Sequence, residues 1–293
     1  MLAQVPLVVA LLLSSAPDVG SAAASSNPEP APCVGGREVT FDPKEQRAAF
    51  AAVKDLSSLS RLMKALNFKA AEHLEDCKGP GGSEPEPPSS VALDVFKAAL
   101  SSGQKRDLVL QVRGTACDSR LLDGVLLRPL AEKKKAYCAI PVPFLPRLVH
   151  HQMLASTAVF AFVQLTDERR QSIRVDAYEA EPGTALLETS TTTFWDFEPR
   201  TNTFRELFMI SNTNGRSGFH SPSGWSEFEV TVAKDGDFPR QLSVKESSTT
   251  CPPIEQEVTM PSGEEVSVPG SGECTTTKNA FHACLRGQKY ERC

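Results

Sequence analysis

The stretch SEFEVTVAKDGDFPRQLSVKES, residues 226–247, decides the fold class of this 293-residue chain. In its first half, Phe228, Val230 and Val232 alternate with polar residues, and a second alternating run, QLSVKES, follows the turn dipeptide Asp235-Gly236. Alternation with a period of two on both sides of a turn predicts two antiparallel strands. One face of such a sheet is apolar and the other is wetted by solvent.

Six further segments upstream have the composition of strands. They are LVLQVRG from Leu108, AYCAIPV from Ala136, VFAFVQL from Val159, SIRVDAYEAE from Ser172, ALLETSTTTFWDF from Ala185 and TFRELFMI from Thr203. The connections between them leave no room for crossover helices, which excludes a doubly wound parallel sheet and its nucleotide site. Residues 104–250 are therefore predicted to form a mainly antiparallel sheet or open barrel of about six to eight strands.

The preceding residues, 42–103, have helical patterns. Asp42 can cap a helix that runs from Pro43 to about Lys54, and apolar residues at steps of three and four predict a second helix over 56–74. A third helix is predicted over 91–102, after an exposed linker at 79–90 that is rich in Pro, Gly and Ser. The predicted fold is thus α+β, with N-terminal helices packed on the sheet.

The N-terminus has the composition of a cleavable export signal over residues 1–24. An apolar run, Val5 to Leu13, precedes small residues that suit signal peptidase, and the run is too short to span a bilayer. A buried N-terminal helix is the alternative interpretation of the run. A Pro-rich tether at 25–41 follows, so we expect a secreted or periplasmic protein with no transmembrane segment after signal removal.

Eight cysteines follow this signal: Cys33, Cys77, Cys117, Cys138, Cys251, Cys274, Cys284 and Cys293. An even number in an exported chain predicts disulfides, and the absence of Cys-x-x-Cys spacing argues against a redox motif or a zinc knuckle. The pair expected first is Cys117 with Cys138, because these residues flank neighbouring strand candidates. Residues 251–293 are predicted to be a Cys-rich tail stapled to the sheet, since they are too polar to form their own core.

Charge and motif spacing exclude several functions. The formal net charge is −5 and the basic residues are scattered, so no basic face is available for nucleic acid. The five histidines have no metal-ligand spacing, and neither a metal nor a cofactor is expected. Residues 215–218 lack the last position of the Gly-x-Ser-x-Gly elbow, and the Ser-x-x-Lys match at 102–105 straddles a predicted helix end, a pattern that often arises by chance.

The segment SNTNGRSGFHSPSGW, residues 211–225, is the candidate binding element. It is rich in Gly and Ser, and aromatic residues concentrate around it in a chain with only 7% aromatic content. Exposed rings on a sheet beside a long loop are typical of binding modules. The candidate ligand contacts are Arg216, Phe219, His220, Trp225 and Trp195. In the alternative interpretation, the rings belong to the core and the loop has no function.

These features predict an exported, non-catalytic binding module for an extracytoplasmic protein, peptide or glycan. Binding would use the sheet face and the 212–225 loop. One rival is an exported hydrolase whose acidic residues converge only in the fold, and another is a structural envelope component. A pocket that gathers carboxylates with shifted pKa values would favour the hydrolase.

Overall fold

The computed structural model describes residues 33–77, 84–101, 106–117, 119–130, 135–143, 148–149, 155–181, 185–217 and 224–293. The predicted signal peptide lies outside these residues. Within them the helices are α1 (Pro43–Ala51), α2 (Leu56–Ala65) and α3 (Ala71–Glu75). None of these helices is long and apolar enough to cross a membrane.

The strands fall into four antiparallel sheets, which we label A to D. Sheet A contains β1 (Arg37–Thr40), β2 (Ser89–Ala98), β3 (Asp107–Ala116), β4 (Ser119–Pro129), β5 (Ala136–Pro141) and β6 (Leu148–Val149). Sheet B contains β7 (Ala155–Val163), β8 (Ser172–Glu181), β9 (Ala185–Glu198) and β10 (Thr203–Ser217). Sheet C contains β11 (Gly224–Val232), β12 (Leu242–Thr250), β15 (Thr275–Arg286) and β16 (Lys289–Arg292), and sheet D is the hairpin of β13 (Pro253–Thr259) and β14 (Glu265–Ser271).

The first helix begins where the sequence predicts. The Asp42 carboxylate accepts hydrogen bonds from the backbone N–H groups of Lys44 and Glu45 at 3.0 and 3.3 Å, which satisfies two donors that the first turn leaves open.

The second predicted helix, over 56–74, is instead two helices. Asn67 separates them in the left-handed region, with φ of 65°.

Sheet A has the strand order β1-β5-β4-β3-β2, with β6 paired to β4. The three helices cover one of its faces, where Phe50 and Met63 pack with Leu110 of β3. The predicted third helix, over 91–102, is wrong, because this segment forms β2 and pairs with β3. Leu93 of β2 faces the helices and Ala98 faces the opposite side.

Sheets A, B and C are stacked, and the predicted single sheet or open barrel is wrong. Phe160 and Ile173 of sheet B pack against Val109 of sheet A, whereas Phe194 on the other face of sheet B packs against Val244 of sheet C. The order of layers is therefore helices, sheet A, sheet B and sheet C. Within the described residues the mostly antiparallel character agrees with the prediction.

All eight cysteines form disulfides, as predicted, and no cysteine is free. The expected Cys117–Cys138 bridge is wrong, because Cys117 contacts the core under the helices and Cys138 lies in the core between sheets A and B. The two side chains thus point to opposite faces of sheet A. The bridges are Cys33–Cys138, Cys77–Cys117, Cys251–Cys274 and Cys284–Cys293.

The Cys-rich tail contributes more to the fold than the sequence indicated. Its β15 and β16 are half of sheet C, and the Tyr290 side chain of β16 is buried against Val230 and Leu242. The Tyr290 hydroxyl donates to the carbonyl oxygen of Arg240 at 2.8 Å. Both disulfides of the tail close within it rather than joining it to another segment.

Candidate functional site

The face of sheet C directed away from sheet B carries the candidate site. Val230 of β11 faces sheet B, so Trp225, Glu227 and Glu229 lie on the opposite face by alternation. Strand register aligns Glu229 with Lys245 and Ala280, and it aligns Glu227 with Ser247 and Lys278. The outer face therefore has acidic residues on β11 and lysines on β12 and β15.

A shallow groove of about 390 Å³ follows these rows of residues. Ser247 and Ala280 have short side chains, which leaves space between the longer charged ones. Six of the lining residues lie on the outer face by alternation: Glu227, Glu229, Lys245, Ser247, Lys278 and Ala280. The row between them, Phe228, Glu246 and Asn279, also borders the groove. The groove is thus open to solvent and lined by charges of both signs.

Of the four charged groove residues on the outer face, two are bound to each other and two are not. Lys245 Nζ lies 3.3 Å from Glu229 Oε2, and both side chains are more than half exposed. Glu227 and Lys278 lie two strands apart, roughly 10 Å from strand spacing alone, and neither is in an ion pair within the described part of the chain. A ligand in the groove would meet one carboxylate and one ammonium group, separated by the Ser247 side chain.

Trp225 lies one row beyond the groove on the same face. Its side chain is 41% exposed, and register places it opposite Thr249, whose hydroxyl is bonded to that of Thr276 at 2.9 Å. The neighbouring Ser226 is held by Asn214 of β10. Its N–H donates to Asn214 Oδ1 at 2.8 Å and its carbonyl accepts from Asn214 Nδ2 at 3.0 Å, which fixes the strand that carries the indole.

The structure separates the other predicted ligand contacts. Trp195 belongs to the core between sheets A and B, and its Nε1 donates to Thr193 Oγ1 at 2.9 Å. Arg216 lies on β10 opposite Leu186. Phe219 and His220 lie outside the described residues, so their assignment stays a prediction. The predicted 212–225 loop is too long, because strand β10 continues to Ser217 and β11 begins at Gly224.

Most aromatic residues near the candidate segment belong to the core, in agreement with the alternative interpretation. Phe194 and Phe197 are fully buried, on opposite faces of sheet B. Among the rings of this group that the structure describes, Trp225 is the exception, with its exposed ring next to the groove. Sequence alone could not separate these cases, since it does not show which faces are covered.

The buried carboxylate with a shifted pKa lies far from the groove in the fold. Burial raises the pKa of Asp107, which accepts hydrogen bonds from the N–H groups of Leu100 and Ser101 at the end of β2. Asp196 is paired with Arg205 at 3.3 Å, between sheets B and C. Each of these acids stabilises a local connection, and neither lines the groove.

Three groove residues could not be found from the sequence. Lys278, Asn279 and Ala280 belong to TTTKNAF, in the tail where the sequence pattern predicts no strand. Lys245 carried a usable signal, because alternation in QLSVKES places it on the wetted face with Glu229. The missing information was the pairing of β12 with β15.

Comparisons with protein-family models, with curated proteins and with solved structures gave no match to this chain.

Proposed function

We propose that this protein is an extracytoplasmic, non-catalytic binding module that holds an extended polypeptide on the outer face of sheet C. The observation that carries the proposal is the exposed Trp225 indole beside a groove with opposite charges on its two sides. An aromatic ring supplies apolar contact area at low entropy cost, and the charged residues supply orientation.

The charge pattern favours a polypeptide over a neutral glycan. Glu227 and Lys278 would each lose hydration when a ligand covers them, which costs free energy unless an opposite charge replaces the water. A peptide can supply both signs from its side chains, and alternate side chains of an extended peptide are about 7 Å apart, close to the spacing of the rows in the sheet. An uncharged sugar cannot make either ion pair.

The geometry of β11 argues against binding by strand addition at that edge. The Ser226 backbone is already bonded by Asn214, and the Val230 carbonyl accepts from Arg174 Nη1 at 2.8 Å. We therefore place the peptide across the face of the sheet. The extracytoplasmic location is supported by the four disulfides, which persist in oxidising compartments.

The first test is panning of a random 12-residue peptide display library against the mature protein, in parallel with an oligosaccharide array. One class of recovered peptides should bind Trp225→Ala and Lys278→Glu roughly tenfold more weakly, a loss of about 1.4 kcal/mol. Lys234→Glu is the matched control, since this exposed lysine lies in the β11–β12 connection outside the groove. Its affinity should equal that of the unsubstituted protein.

Tryptophan fluorescence locates the binding event. The chain has two tryptophans, so Trp195→Phe leaves Trp225 as the one reporter, and peptide addition should shift its emission to shorter wavelength. If no class of recovered peptides loses affinity in Trp225→Ala and Lys278→Glu, the proposed site is overturned. Oligosaccharides that bind in place of peptides, and lose affinity in the same variants, would overturn the polypeptide assignment.

A further inference from the structure

A second candidate interaction surface lies on the hairpin of β13 and β14. We call residues 251–274 the acidic arm. The arm continues the β12–β15 pair, whose last aligned residues are Thr250 and Thr275, and the Cys251–Cys274 bridge closes its base with Cα atoms 4.1 Å apart. Its seven-residue strands are each roughly 23 Å long.

The acidic arm is fixed at its base and at its tip. The Gly272 N–H donates to the Pro252 carbonyl at 2.7 Å, next to the disulfide. At the tip, the N–H groups of Met260 and Gly263 donate to Glu264 and Met260 carbonyls, each at 2.8 Å, and Gly263 has φ of 82°. An isolated two-stranded hairpin is marginally stable, so these restraints keep the arm ready to bind.

The acidic arm carries as much negative charge as the net charge of the whole chain. Between Cys251 and Cys274 there are five glutamates and no Lys, Arg or His. Their charge equals the formal net charge of the whole chain, −5, so the remainder is formally neutral. All five side chains are exposed, and none is in an ion pair within the described residues: Glu255, Glu257, Glu264, Glu265 and Glu273.

One face of the arm carries exposed apolar side chains. Val258 pairs with Val266 across the hairpin, and Met260 follows on the same face, whereas Glu255 and Glu257 alternate to the other face. Val258 and Met260 are 41% and 47% exposed, and they belong to none of the cores described above. An exposed apolar surface bordered by charge is typical of a protein interaction site.

We propose that the acidic arm docks into an apolar groove with a basic rim on a partner protein, independently of the ligand of sheet C. Charge complementarity indicates the kind of partner, because five unpaired carboxylates attract a basic surface and accelerate association with it. A second copy of this chain does not suit the arm as a partner. Its arm would repel the first, and the rest of the mature chain has a formal net charge of only +1 (31 Lys and Arg against 30 Asp and Glu), too little to attract five carboxylates.

Panning of a random 12-residue peptide display library against the full mature chain tests the arm. We expect a class of recovered peptides that combine Lys or Arg with apolar residues. These peptides should bind the E255Q/E257Q/E264Q/E265Q variant more than tenfold more weakly than the unsubstituted protein at about 0.15 M salt. They should bind the Val258→Thr variant several-fold more weakly. The matched control E45Q/E72Q/E84Q/E86Q removes as many exposed carboxylates elsewhere and should bind as the unsubstituted protein does.

The same screen separates this proposal from that for sheet C. Arm-binding peptides should keep full affinity for Lys278→Glu, and groove-binding peptides should keep it for the four-glutamine arm variant. Intact mass before and after reduction verifies that Cys251–Cys274 has formed in each variant. Failure to recover peptides that depend on the arm, or recovery of arm-dependent peptides without basic residues, would overturn the proposal. So would concentration-dependent dimers that the arm substitutions abolish, since these would identify a second copy as the occupant.

Discussion

Asp107 shows how one buried carboxylate determines a local connection in this fold. Its side chain accepts hydrogen bonds from Leu100 N–H and Ser101 N–H at 2.8 and 2.7 Å and from Ser101 Oγ at 2.6 Å. Burial is nevertheless the dominant effect on its pKa, which is raised above 3.8 although these bonds and the Arg128 charge act in the opposite direction. The folded state thus binds the proton of Asp107 more tightly than the unfolded chain does.

A pH dependence follows from this raised pKa. The contribution of Asp107 to stability is fully present below 3.8 and is lost as the pH rises through the folded-state pKa. Asp107→Asn removes the titration and keeps an acceptor for the two N–H groups. The free energy of unfolding of the natural chain minus that of the Asn variant should therefore decrease with rising pH in urea titrations. An increase over the same range would contradict the burial argument.

At the level of single elements, the free edge of β11 is protected by side chains of sheet B. Asn214 bonds both backbone groups of Ser226, and Arg174 bonds the Val230 carbonyl. An open edge of this kind pairs readily with another chain. Asn214→Ala should lower the free energy of unfolding by about 1–2 kcal/mol and increase aggregation, because two hydrogen bonds to the backbone are lost.

Static light scattering against concentration measures the aggregation. The control is Asn279→Ala, which makes the same chemical change on β15, an inner strand of sheet C where the residue is exposed. If both variants remain monomeric to the same concentration, the protective role of Asn214 is wrong.

The elements also show what the sequence could and could not predict. The 226–247 hairpin was recognisable because one face of sheet C is wetted, so its residues alternate. Strand β2 was predicted as a helix because sheet A is covered on both faces, by helices and by sheet B. Apolar residues on both faces of a strand remove the period-two signal and leave spacings that also fit a helix.

The candidate site could be predicted from the sequence only in part. Alternation along the strands places Glu227, Glu229 and Lys245 on the outer face, and it places Trp225 on the same face. Lys278 could not be placed, because its position depends on a long-range pairing between β12 and β15. The partial burial of Trp195 could not be predicted either, since it results from the stacking of sheet B on sheet A.

At the scale of the whole molecule, the disulfides close loops of very different lengths. Cys33–Cys138 spans 105 residues and Cys284–Cys293 spans 9. Cys138 lies on β5 in the core between sheets A and B, so its bridge restrains the segment before β1 relative to the centre of the stacked sheets. The short bridge restrains the end of the chain beside β15 alone.

Removal of these two bridges should therefore have unequal effects on stability. Loop-closure entropy in the unfolded chain predicts a loss of about 4.7 kcal/mol for the long bridge and about 2.6 kcal/mol for the short one. The comparison requires paired Cys→Ala substitutions, C33A/C138A and C284A/C293A, which place no polar group in the core. Urea unfolding of both variants at one temperature measures the difference. If the short bridge proved the more stabilising, strain or packing in the folded state would outweigh chain entropy, and the long bridge could not be the main covalent restraint on the layered fold.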